Sequence, residues 1–499
     1  MRDGQICLQW ILKLSDKEEG EYTGMVERKL IISKDFNDPE YAKNVANTKR
    51  VLEKFTLDKD FNSLYKENPD KALAEAGIEV DAKSIAMLLN DEESKKTRKA
   101  LLDGSVKLFD LPDCYVRYML FMQEKLDSRE ELRTKLCIPD EPGFKEWRAR
   151  QERRCFIEMG SNAKKMIHAT LMFELTEGCS VGCPFCGVAA KGLKGIFRHT
   201  DENARLFRDI LKRMHKLIGD AAGYGTLYYS CEGLDNPDYE MFIEDYFNEF
   251  GKVPQTTTAA STRDVERTRA LLNYGLKNYP HIDRFSVISA EMRDILFEKF
   301  SPEELLDVEL LPQFTDAPAS SLVKAGRNRD ETDQDSVNGT IACASGFIIN
   351  MQEKSVRLMT PFVSDKDHPT GEWILEKAFF SSADELEEIV RRMISQYMNV
   401  QLELDRPCLA SCDFELVNKD GKIWAIGHGN GISSYDSFLD QEVLDKLLSL
   451  LKEKKYTGYE VLNLLPEDVN YSLVILLLKF LWNYGLIHQS QSKKEMEDM

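Results

Sequence analysis

Three cysteines stand within eight residues in Glu174-Leu-Thr-Glu-Gly-Cys-Ser-Val-Gly-Cys-Pro-Phe-Cys-Gly187, directly after an apolar run. Cys179, Cys183 and Cys186 are spaced Cys-x3-Cys-x2-Cys, so one short loop can offer three thiolates to a compact inorganic centre. Soft thiolates at such spacing select iron–sulfur clusters or zinc over hard cations. A structural zinc site wants a fourth ligand nearby, from a second Cys-x2-Cys or a histidine pair. None follows, since His199 stands alone and the next cysteine is Cys231. Three thiolates on a four-iron cluster leave one iron without a protein ligand, and an open iron is a place for chemistry. The bland alternatives are buried apolar cysteines or a stray zinc loop.

The elements that must position this loop read as an α/β protein. From Lys165 to about Phe347 strands alternate with helices, which points to βαβ units and a parallel sheet. Strands are predicted near Ile167–Leu175, Thr226–Ser230, Gln255–Ala259, Arg284–Ser289, Val308–Phe314 and Thr340–Ala344. In the clearest intervening helix Leu206, Ile210, Met214 and Leu217 recur at helical spacing. The cysteine loop follows the first predicted strand, and the carboxyl ends of strands are where α/β barrels do their chemistry.

The cysteine motif, with the aromatic Phe185 before its third cysteine, resembles that of the radical S-adenosylmethionine (SAM) superfamily. The resemblance implies a partial (β/α)6 TIM-like barrel, a [4Fe-4S] cluster on Cys179, Cys183 and Cys186, and SAM on the open iron. It also implies an external electron donor of the flavodoxin or ferredoxin kind. In that family Gly-Gly-Glu after the second strand holds the SAM ammonium. Here Ser230-Cys231-Glu232 occupies the place, keeping the carboxylate and replacing both glycines. Thr257 on the third strand and Arg284 and Ser286 on the fourth match the family's ribose and carboxylate contacts, although threonine is also simply a good strand former.

Within the superfamily, three further stretches are similar to the peptide epimerases that act on precursors of the proteusin type. They are Leu234-Asp-Asn-Pro-Asp-Tyr239, the block Thr340–Pro361, and Phe61–Ile78, which resembles the leader of such precursors. The plain reading of Phe61–Ile78 is a capped helix: Pro69 begins it, Gly77 ends it, and Ile78 packs back on Leu73. The resemblance implies a ribosomally made precursor peptide as partner and L-to-D inversion at Cα as the reaction. Inversion needs a hydrogen delivered from the face opposite to abstraction, and a thiol can deliver it. Cys343, at the mouth of the sixth predicted strand, is the first candidate; Cys408 and Cys412 come next, then Cys231. Cys343, Cys408 and Cys412 lack the dense spacing of an auxiliary cluster. Two other outcomes stay open: a thioether or carbon–carbon cross-linking maturase, and a non-catalytic iron–sulfur protein that senses redox state or presents precursors.

The rest of the chain frames this core. Residues 1–158 read as mostly helical from Val45 on, with Ile6–Leu14 readable as strand or amphipathic helix. Residues 165–347 form the barrel, 348–430 a strand-rich extension with one helix at Ala383–Gln396, and 431–499 a winged-helix-like module. That module suits peptide or protein contact. The glycine-rich Ile426–Gly431 lacks the strand and helix context of a dinucleotide fingerprint and reads as a loop. A formal charge of −19 argues against nucleic acid and anionic membranes as partners. Eleven cysteines without a signal-peptide pattern suggest a reducing cytoplasm. The most apolar run, Leu473–Trp482, carries Lys479 and falls short of the roughly 20 residues of a membrane span.

Overall fold

A computed structural model describes residues 39–279, 281–320, 322–329, 337–411, 414–429 and 431–489. Ile6–Leu14, Cys412 and the closing Lys493–Met499 lie outside them. The first half is helical, in α1 (Pro39–Leu57), α2 (Lys59–Glu67), α3 (Pro69–Glu75), α4 (Ala82–Leu89), α5 (Asp91–Leu102), α6 (Asp113–Glu131) and α7 (Pro142–Met159). Strands then enter: β1 (Ala169–Glu174), β2 (Thr176–Glu177) and β3 (Gly195–Ile196), followed by α8 (Asp201–Ile218) and α9 (Tyr239–Phe250). Next come β4 (Thr257–Thr258), α10 (Val265–Asn278), β5 (Asp283–Val287), α11 (Ala290–Lys299), β6 (Val308–Pro312), β7 (Val323–Lys324) and β8 (Val337–Asn338). β9 (Ala344–Asn350), β10 (Ser355–Pro361), β11 (Glu372–Phe379) and α12 (Ala383–Tyr397) lead to β12 (Cys408–Ala410), β13 (Phe414–Lys419), β14 (Lys422–Gly427) and β15 (Ile432–Asp436). The chain closes with α13 (Gln441–Lys452), α14 (Gly458–Asn463), α15 (Tyr471–Asn483) and β16 (Ile487–Gln489).

These elements group into two compact units. The first takes the described parts of Met1–Arg129 and Gln255–Ser321, the second those of Glu130–Pro254 and Leu322–Met499. In the first unit β4, β5 and β6 run parallel in that order, and Leu57 joins Phe285, Val287, Leu296 and Phe300 in one buried cluster. The leader-like stretch behaves as its plain reading expects. Asn68 caps α3 by accepting the Lys71 N–H, Gly77 takes φ +65°, and the Ile78 N–H donates to the Leu73 carbonyl as its side chain joins Leu73 in a buried cluster.

In the second unit β1 pairs in parallel with β9, and β10 and β11 continue the sheet antiparallel in the order β1-β9-β10-β11. Every residue of β1 and β9 is buried, because both faces of the sheet are covered. On one face α8 lays Phe207, Ile210, Met214 and Leu217; Phe207 meets Phe173 of β1 at 5.2 Å and Phe242 of α9 at 5.1 Å, ring to ring. Burying each such side chain contributes about 2–3 kcal/mol. The sheet β13-β14-β15, helices α13 to α15 and the pair β12-β16 share a core that runs from Leu402 to Ile487.

The described residues form no closed barrel, and three predicted strands differ. Thr226–Ser230 is not a strand: the Thr226 hydroxyl donates to the Tyr228 carbonyl, and the Ser230 N–H goes to the Glu174 carboxylate instead of a backbone partner. Gln255–Ala259 shrinks to two residues, since the Thr256 N–H bonds Asp283 and the Ala260 N–H bonds the Thr258 hydroxyl. Residues 340–343 are not strand, because the Thr340 hydroxyl accepts the Ala342 N–H and donates to the Gly371 carbonyl; the strand begins only at Ala344. Cys343 therefore precedes this strand and does not stand at its far mouth, its carbonyl accepting the Ala169 N–H at 3.0 Å. No helix of the described residues is long and apolar enough to cross a membrane.

Candidate functional site

The cysteine loop is an excursion of a hairpin that opens just past the carboxyl end of β1. Its base is closed by β2 against β3, by Lys194 N–H to Glu177 carbonyl at 2.8 Å and by Cys179 N–H to Lys191 carbonyl at 2.9 Å. Gly178 sits at φ +85°, where an added Cβ would lie 2.3 Å from the Gly192 carbonyl oxygen, so only glycine lets the two arms meet. At the tip, the Cys186 N–H bonds the Cys183 carbonyl and the Ala189 N–H bonds the Cys186 carbonyl, turning the chain tightly between the second and third cysteines.

Arg327 fastens this tip from outside the hairpin. Its guanidinium donates to the carbonyls of Cys183 (2.6 Å) and Ala190, and its N–H to the Cys186 carbonyl at 3.0 Å. Gly326 beside it, at φ +57°, approaches the Cys186 and Gly187 carbonyls more closely than any Cβ allows. A second clamp comes from the stretch after Glu232. Asp235 accepts the Ser180 N–H at 2.7 Å and the Ser180 hydroxyl, Asn236 donates to the Phe197 carbonyl at 2.8 Å, and Asp238 binds Arg198 and the His199 N–H.

The three thiols are half-buried. Burial, then Cys186 and Cys179, push the Cys183 thiol up to about 11. Burial also raises Cys179, against the N–H groups of Val181 and Gly182 that favour its thiolate, while Glu232 and Asp235 add to the rise. The Cys186 sulfur accepts the Ala190 N–H at 3.5 Å. Thiols set among amide donors are groups that a bound cation would ionise. Among the described residues no three His, Cys, Asp or Glu side chains converge as a single-ion site would require. A four-iron cage takes its ligands on separate corners, which is the arrangement that the Cys-x3-Cys-x2-Cys spacing would suit.

Around the loop the structure gathers several residues singled out in the sequence. Phe185 is half-buried within it. Glu232 is buried, caps a short 3-10 turn through the Leu234 N–H at 3.1 Å, and acts on Cys179, Cys183 and Cys231. Burial and Glu174 push the Cys231 thiol up to about 12. Ser230 turns to Glu174. Cys343 is half-buried with Tyr229 in the cluster of Ala169, Met172 and Ile348, and Ile341, two residues earlier, is the side chain an added Cβ on Gly187 would meet at 3.0 Å. Cys408 lies in the core shared with α13 to α15, where burial lifts its thiol to about 11. Thr257, Arg284 and Ser286 belong to the other unit, where the Arg284 guanidinium pairs with Glu309 at 2.9 Å.

The sequence reading missed the polar hub beneath the loop. Glu174, the last residue of β1, is buried and receives Arg357 (2.9 and 3.1 Å), Asn350 (3.0 Å), and the Ser230 N–H (2.8 Å) and hydroxyl. Burial would raise its pKa, but Arg357 and the Ser230 donors outweigh that and hold it below the usual carboxylate range. A charged residue closing an otherwise apolar strand was the available signal.

Fold and site thus define a mixed α/β protein with a three-cysteine loop held at the end of a parallel strand. The chain belongs to the family of the uncharacterized protein y4wI of Sinorhizobium fredii, to which it is 34% identical over 397 residues, 77% of this chain and 76% of that one. No family model matches it. Among solved structures, the crystal structure of BtrN in complex with AdoMet and 2-DOIA is 13% identical over 38% of this chain and 71% of its own, with a TM-score of 0.27, too low to carry an argument.

Proposed function

We propose that the protein is a radical SAM enzyme that inverts Cα stereocentres in a ribosomally made peptide, and that it works in the cytoplasm with a flavodoxin-like or ferredoxin-like electron donor. The observation that carries this reading is Cys179-x3-Cys183-x2-Cys186, held as a clamped hairpin loop past the carboxyl end of β1. Cys179, Cys183 and Cys186 would hold a [4Fe-4S] cluster, and Glu232 would accept hydrogen bonds from the SAM ammonium. When bound, this pair supplies the radical that removes hydrogen from a peptide Cα. The remaining steps belong to the chain. Cys343 and Tyr229 are half-buried against the apolar cluster of Ala169, Ala342, Met172 and Ile348, which would keep water from the planar carbon. The Cys343 S–H bond breaks and a new C–H bond forms on the opposite face, leaving a sulfur radical that takes one electron from the donor protein and one proton from solvent.

The test is anaerobic reconstitution followed by reaction with a precursor peptide in D2O. Inversion adds about one dalton per residue, because thiol hydrogen exchanges with solvent, whereas cross-linking removes two hydrogens. Cys343→Ala is expected to keep 5′-deoxyadenosine formation and lose D-residues. Persistent inversion in that variant moves the donor to Cys408 or Cys412, and a chain that binds no iron after reconstitution removes the whole reading.

A further inference from the structure

The second unit carries a groove of about 410 Å³ that lies away from the cysteine loop, between α7 and the C-terminal sheet and helices. Its floor and walls include Phe156 of α7, Ser433 and Tyr435 of β15, and Tyr484 after α15. Phe156 is 47% exposed, a large apolar group left open to water. Tyr435 is fixed edge-on to Phe480 at 5.2 Å and to Tyr484 at 5.3 Å, which makes a rigid aromatic wall.

Two features say what fits there. β15 is the last strand of the order β13-β14-β15, and among the described residues no strand pairs with its outer edge. α7 holds only its start, through the Gly431 N–H to the Glu158 carbonyl at 2.9 Å. Side chains along β15 alternate, with Ser433 and Tyr435 turned inward and Ile432, Ser434 and Asp436 exposed, the pattern of a regular strand able to accept a neighbour. The second feature is charge. In a chain of net charge −19 the groove is lined by Arg133, Arg153 and Lys164 against Glu152. Arg133 is neutralised by Glu130 and Glu152, but Arg153 and Lys164 make no ion pair among the described residues. Arg153 gives one N–H to the Asn483 carbonyl at 2.7 Å, which fixes its guanidinium at the rim.

We propose that this groove is a docking site for an acidic, extended segment of another polypeptide, which adds to the β15 edge as a fourth strand. Alternate apolar side chains rest on Phe156, Tyr435 and Tyr484, and carboxylates meet Arg153 and Lys164. The proposal stands whether or not the cysteine loop performs the chemistry assigned to it above.

The experiment uses the full-length protein and a fluorescein-labelled peptide of alternating glutamate and valine, followed by anisotropy, beside its lysine–valine counterpart and a copy N-methylated at alternate amides. The glutamate peptide is expected to bind saturably and to weaken as salt is raised, with both control peptides at least about tenfold weaker. Arg153→Glu and Lys164→Glu, on the surface and with thermal transitions unchanged, are each expected to lower its affinity at least about tenfold. Equal affinity for the lysine peptide or the N-methylated peptide, indifference to both charge reversals, or no saturable binding below about 1 mM overturns the proposal.

Discussion

Glu174 and Arg357 face each other at a place where both pay a desolvation cost, the carboxylate wholly buried and the guanidinium 13% exposed. Such a pair is held by its geometry, and removing one partner strands the other. Arg357→Met is therefore expected to cost about 3 kcal/mol in urea unfolding, while Glu174→Gln with Arg357→Met restores part of it; a double variant no better than the single one contradicts the coupling. His168 argues in the same terms. It is buried at φ +50°, its Nδ1 lies 2.8 Å from the Ser345 hydroxyl, and burial, then Arg148, Arg154 and Arg133, hold its pKa well below 6.5. The folded chain keeps this ring neutral, so below pH 6.5 the unfolded chain binds the extra proton and stability falls with pH, by about 1.4 kcal/mol per unit. His168→Gln is expected to flatten the slope of unfolding free energy between pH 6.5 and 5, and an unchanged slope refutes the assignment. The sequence could flag Glu174 as a charge closing an apolar strand but not the partners of either hub, because a lone Glu, Arg or His carries no mark of the group that folding brings to it from 177 or 183 residues away.

At the scale of elements, what was legible was local. The face of α8 and the ends of α3 are written in periodicity and caps, which need only neighbouring residues. The position of the cysteine loop after a buried strand was legible for the same reason. The segments at Thr226–Ser230 and Thr340–Ala344 were not, because side chains of Thr226, Glu174 and Thr340 take backbone bonds that a ladder would use. The loop itself depends on such distant groups. The Arg327 guanidinium holds the Cys183 and Ala190 carbonyls, so on the proposed function Arg327→Gln is expected to leave the secondary structure intact by circular dichroism and to lower iron retained per reconstituted chain at least about twofold after desalting. Gly178→Ala is expected to do more, since its methyl cannot coexist with the Gly192 carbonyl. Full iron retention in both variants would mean that the clamp does not shape the donor set.

Across the whole molecule, helical periodicity announces helices without saying what covers them. α1 is amphipathic in the sequence, but its cover comes from far along the chain. Val45 and Ala46 pack with Phe121 and Leu306, the Arg50 guanidinium donates to the Phe300 carbonyl at 3.1 Å, and the Ala319 N–H donates to the Thr56 carbonyl. Lys49 is the strongest case: its buried ammonium pairs with Glu53 and donates to the Leu305 carbonyl at 2.8 Å, and burial lowers its pKa in spite of Glu53. Without residues 255–320 these cations and apolar side chains have no wall, and a half-satisfied buried charge is worse than an exposed one. The fragment of residues 1–129 is therefore expected to show reduced helicity and a broad, non-cooperative urea response, keeping at most the small cluster of Phe61, Tyr65, Leu73 and Ile85. A sharp two-state transition in that fragment, with the helicity of the full chain over the same residues, would show that the first helices fold without the strands that follow α9.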